Sequence, residues 1–153
     1  MKAKIETKVE IITQLNYLLN EQISLLENTI KDLTNSRDEE TKSSAGDKFE
    51  TGRAMMQAEI NRNAIHLNKA RLLKNELAKI DINKKHNNVG VGSLLITTNG
   101  NYFISIGFGK IEVDQNNCYA ISLASPVGQL FNNKIVGDII QFQNKTFEIL
   151  QLI

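Results

Sequence analysis

Five carboxylates crowd one short stretch of the chain, RDEETKSSAGDKFETGR at positions 37–53: Asp38, Glu39, Glu40, Asp47 and Glu50. The stretch is also rich in hydroxyls, holds two glycines and breaks two helical patterns, and what it touches is the functional question. Asp47 also has a structural use. Ser44-Ala45-Gly46-Asp47 fits the S-x-x-D capping pattern, in which the N-cap serine and the third helical residue satisfy exposed N–H groups. An acid is favoured there by the positive helix end. Glu39 and Glu40 equally fit a solvated helix end. Both readings stay open.

Other reactive residue types are too scattered to form a visible site. His66 falls on a helical pattern and His86 in a polar linker, and neither has a second ligand at zinc spacing. Cys118 sits in an apolar run, where a thiol is a small hydrophobe, and no base accompanies it as a nucleophile requires. Gly90, Gly92, Gly107 and Gly109 form GVG and GFG, with no following helix to make a dinucleotide loop. No cofactor and no metal of the chain's own are expected. Lys84, Lys85 and Lys134 suit either an acidic partner or a solvated surface.

The 153 residues are 41% hydrophobic and 23% charged, a folded composition, and the net charge of +1 argues for neither nucleic acid nor membrane. No apolar run reaches the roughly 20 residues that span a bilayer. The first ten residues lack the apolar core of a secretory signal. A soluble, cytoplasmic monomer is the expectation.

The elements that flank the acidic stretch are helical. Ile5, Val9, Ile12, Asn16, Leu19, Ile23, Leu26, Ile30 and Leu33 step by fours and threes, a heptad seam with one polar member. A second seam runs through Phe49, Met56, Ile60, Ala64, Leu67, Ala70, Leu73, Leu77 and Ile80. Two amphipathic helices joined by a short break make an antiparallel hairpin over residues 1–80, with its tip at about 37–48. Asn63 and Asn68 would fix its register. Residues 81–90 are a linker.

Seven of the nine glycines lie beyond residue 89, and the period changes from helical to extended. Residues 91–98 and 102–106 read as a hairpin about Asn99-Gly100. Residues 111–113, 118–123, 139–142 and 146–152 complete a mostly antiparallel sheet. Ser125-Pro126 starts a short helix through Phe131. The class is α+β, with a small C-terminal domain at 91–153.

The segment Ser125-Pro126-Val127-Gly128-Gln129-Leu130-Phe131, followed by Asn133-Lys134-Ile135-Val136-Gly137-Asp138, resembles the C-terminal signature of the Gre transcript-cleavage (elongation) factors. Phe147-Glu148-Ile149-Leu150 looks like that family's last strand. Val91-Gly92-Ser93 fits its domain opening, and Phe49 and Arg53 match its aromatic and arginine. The resemblance implies a coiled-coil hairpin and an FKBP-like domain. It further implies docking at the secondary channel of bacterial RNA polymerase, with the tip near nascent RNA and the catalytic site. There the tip acids, here Asp38, Glu39, Glu40 and Asp47, would help hold a shared Mg2+, and the polymerase itself would cleave backtracked RNA. Arg53, Ser125, Pro126, Lys134, Gly137 and Asp138 are the implied partner-binding residues. One departure stands out: an ungapped alignment from Phe49 and Arg53 puts Lys42 and Ala45 where the family has its aspartate and glutamate. A regulator that occupies the channel without cleavage, a coiled-coil assembly protein and, last, a stand-alone enzyme are the alternatives.

Overall fold

The computed structural model describes residues 5–43 and 47–153, with side chains described over 6–39 and from Glu50 onward. Two N-terminal helices, α1 (Ile5–Ser43) and α2 (Asp47–Ala78), precede a six-stranded mixed sheet. Its strands are β1 (Leu94–Thr97), β2 (Gly100–Ile104), β3 (Gly109–Val113), β4 (Asn116–Ile121), β5 (Ile139–Phe142) and β6 (Lys145–Leu152), with the short helix α3 (Pro126–Phe131) between β4 and β5. The architecture is α+β. No described helix is long and apolar enough to cross a membrane.

α1 carries no proline or glycine, and its run of Asp38, Glu39 and Glu40 does not interrupt it. Residues 37–43 of the acidic stretch are therefore helical, because glutamate and lysine are good helix formers and Gly46 is the first strong breaker. Contacts divide the chain into two units, one of residues 1–16 with 75–153 and one of Tyr17–Lys74.

In the helical unit, Arg37 donates to Gln57 and Arg71 donates to Glu27 at 2.8 Å. As numbers rise along α1 they fall along α2, so the two segments run antiparallel. Ile60, Leu67 and Ala70 are buried as the heptad seam expects. Ala64 is exposed instead, and half-buried Asn63 takes its place on the inner face. Its amide donates to the Glu59 carbonyl of its own helix, at 2.8 Å. Asn68 is exposed.

In the other unit the strand order is β3-β4-β2-β1-β6-β5, with β2 and β4 parallel and the four other pairings antiparallel. β1 buries side chains on both faces, which explains its unbroken apolar run. Leu95, Ile104, Phe131, Ile140, Phe147 and Ile149 form one core layer. Phe131 brings α3 onto it and meets Tyr102 and Phe147 at ring-centroid distances of 5.3 and 5.9 Å. Leu94 and its cross-strand partner Phe103 are buried on the opposite face. In the first turns of α1 the buried positions are Lys8, Ile11, Leu15 and Leu19, while Val9 is 42% exposed. Lys8, Ile11 and Leu15 each sit one residue before the seam positions Val9, Ile12 and Asn16, and the inner face rejoins the expected seam at Leu19.

The turns differ from expectation in an instructive way. Thr97 pairs with Gly100, so Thr98-Asn99 is the two-residue loop and Gly100 takes φ +107 at the start of β2. The loops with both central residues at positive φ are Asp114-Gln115 and Gln143-Asn144, the backbone of a type I′ hairpin. Neither contains glycine. Replacing Gln143-Asn144 by Asn-Gly puts residues that accept positive φ at both positions. A gain of about 1 kcal/mol is expected, read as a rise of about 3 °C in the melting midpoint.

Candidate functional site

The acidic stretch divides between described and undescribed side chains. Asp38 and Glu39 are exposed on the last turns of α1. Asp38 is engaged by its neighbour, since Arg37 Nε and Nη2 donate to its Oδ1 at 3.2 and 3.1 Å. Arg37 reaches Gln57 on α2 with its other amino group. Glu40 and Asp47, together with the proposed Ser44 cap and Lys42 and Ala45, lie outside the described side chains. Among the described residues no group of three or more histidine, cysteine, aspartate or glutamate side chains could hold a metal ion. The described acids thus do not fit a magnesium site by themselves. Arg53 is exposed on α2.

The remaining implied partner-binding residues come together at α3 and the loop that follows it. Ser125 caps α3: its Oγ accepts from the Gly128 N–H at 3.1 Å and donates to the Ser122 carbonyl at 2.6 Å. Pro126 occupies the first helical turn, where its missing N–H costs nothing. The Asn133 and Lys134 backbones exchange hydrogen bonds with Val89 at 3.0 and 2.8 Å. Gly137 adopts φ +94 as the third residue of a turn closed by Asp138 N–H to Ile135 O at 3.1 Å. The Asp138 carboxylate accepts from the Ile135 N–H at 2.8 Å.

No protein-family model and no curated protein matches this chain.

The signature residues therefore have local structural work in this fold. What the segment presents outward is apolar: Leu130, Ile135, Val136 and Ile139 are exposed by 39, 52, 53 and 62%. Reading by residue type put no weight on these four, because isolated apolar residues at a surface are ordinary. Gly128 is also decisive and was visible only as one letter of the signature. An added Cβ there would lie 2.2 Å from the Ser122 carbonyl oxygen.

Cys118 is buried, which pushes its thiol up to about 12 despite hydrogen bonds at the Phe103 and Tyr119 backbones. It is a neutral thiol at pH 7. His66 is exposed. His86 is half-buried, its Nε2 enclosed without a hydrogen-bond partner among the described residues, and Lys8 Nζ is in the same condition. Burial first, then the charges of Lys8 and Lys84, lower the His86 pKa.

Proposed function

We propose that this chain is a Gre-like regulator of transcription elongation, with a coiled-coil hairpin and an FKBP-like domain, that binds bacterial RNA polymerase at its secondary channel. The observation that carries the reading is the segment 125–138. Its polar residues close a capped helix and a tight turn, and its exposed Ile135 and Val136, with Ile139 just beyond it, supply an apolar docking surface. The antiparallel segments of α1 and α2, 39 and 32 residues long in full, provide helices suited to a deep channel.

Co-purification with polymerase is expected, and it should be lost on the double substitution Ile135→Glu, Val136→Glu while the fold is kept. Failure to bind any form of polymerase would sink the proposal. Transcript shortening in backtracked complexes then separates two roles. Shortening that disappears in Glu40→Ala or Asp47→Ala at unchanged affinity marks the tip as a cleavage stimulator. Binding without shortening marks an occupant of the channel, the outcome favoured by Lys42 and Ala45 at the family's acidic positions.

A second reading, an assembly protein of the same fold, draws on Leu25, Ile65 and Leu72, exposed by 67, 70 and 54% on the helical unit. A stable oligomer by sedimentation, abolished by Ile65→Lys, would select it.

A further inference from the structure

A hollow of about 250 Å³ lies between the first turns of α1 and the β3–β4 end of the sheet, within the sheet-bearing unit. Its floor is apolar, with Ile11, Leu94 and Cys118 each at least 96% buried. Its rim carries the Glu10 and Asp114 carboxyls and the Asn101 amide. A shallower groove shares Glu10 and Asp114 and adds Glu112, and among the described residues no lysine or arginine lines either hollow. We propose that this hollow binds an alkylammonium group, the charged end of a free polyamine or of a lysine side chain, with the methylenes on the apolar floor and the nitrogen between Glu10 and Asp114.

Two features select that chemistry. The Glu10 pKa is raised from its ordinary value by a hydrogen bond to Asp114 first, then by the Asp114 charge, with burial and Glu6 adding to it. Both carboxyls line both hollows, and neighbouring carboxylates favour a proton or a cation beside them. The floor then discriminates among cations. A hard metal ion wants oxygen on every side, whereas the aliphatic floor gains from covering a hydrocarbon stem. Asp114 is fixed by its turn at φ +49, and its carbonyl accepts from the Asn116 amide at 3.2 Å, so the rim is built before a ligand arrives.

The test is an NMR titration of the full chain with 1,5-diaminopentane, N-acetyl-lysine amide and, as the uncharged control, 1-pentanol. Both amines should shift the Asn101 side-chain amide saturably, with a millimolar Kd, and pentanol should not. Glu10→Gln should weaken binding about tenfold. So should Asp114→Asn, which preserves the turn because asparagine accepts positive φ. Binding should weaken towards acid, because the ammonium must displace the proton shared by the carboxyls. A response to the diamine alone identifies a free polyamine, and a response to both admits a lysine side chain. Equal shifts with pentanol, absence of saturation, or indifference to both substitutions in folded protein would overturn the proposal.

Discussion

Gly128→Ala is expected to destabilise the sheet-bearing unit by about 3 kcal/mol, the upper range for overpacking a well-filled site. The new Cβ would stand 2.2 Å from the Ser122 carbonyl oxygen, 2.8 Å from Ser125 Oγ and 3.0 Å from Leu123 Cα. Two of those three atoms are backbone and cannot rotate away. The third is the cap of α3, so relief on that side breaks the bond to the Gly128 N–H. Phe131, three residues on, is fully buried and anchors the helix to the core, so α3 cannot simply retreat. Gly137→Ala meets nothing within 4 Å but keeps φ +94, so it should cost about 1 kcal/mol through conformation alone. Gly107 has neither a positive φ nor a contact closer than 4.0 Å, and its alanine variant should be nearly neutral. Urea midpoints at constant slope read the series. A Gly128→Ala midpoint equal to that of Gly107→Ala would show that the loop before α3 yields. Under the proposed function, any loss of polymerase binding in Gly128→Ala should track unfolding, unlike that in Ile135→Glu, Val136→Glu.

The contrast among these glycines shows what the chain discloses by type alone. α1 and α2, the six strands and the α3 start at Ser125-Pro126 follow from periodicity and local turn chemistry, which act over a few residues. The strand order and the parallel β2–β4 pairing do not, because partner choice is settled by the whole sheet. Asn99-Gly100 was legible as a turn, yet it is Thr98-Asn99 that spans the strands, with Gly100 as the first residue of β2. Gln143-Asn144 was hidden because glutamine is not a left-handed residue by preference, and the hairpin imposes φ +49 on it. The acidic stretch was legible as charge, but which carboxylates face one another depends on helix phase. In α1 that phase left Asp38 beside Arg37. Lys8 was illegible for the opposite reason. A heptad rule assigns lysine to water, and packing of the first turns of α1 overrode it.

Lys8→Met is expected to stabilise the protein by about 2 kcal/mol at pH 7, within the range for replacing buried charge by a matched apolar side chain. Lys8 is fully buried, and its Nζ has no hydrogen-bond partner among the described residues. Burial lowers its pKa from the ordinary 10.5, and the charge of Asp81 opposes that shift. The unfolded chain therefore holds the lysine proton at pH values where the folded chain has released it. Wild-type stability rises between the lowered folded value and 10.5. The advantage of Lys8→Met is largest at neutral pH and shrinks as alkali neutralises the wild-type amine. His86 adds an acid limb of the same sign. Its folded pKa lies below the ordinary 6.5, so its contribution is complete above 6.5 and is lost as pH falls through the folded value. Removing the Lys8 charge should raise the His86 pKa part of the way back, because burial, its largest cause, remains. The imidazole Cε1–H titration reads that shift directly, and melts at pH 5, 7 and 9.5 read the stability. A destabilised Lys8→Met with an unmoved His86 titration would show that the ammonium has a partner in solution and that its burial is compensated.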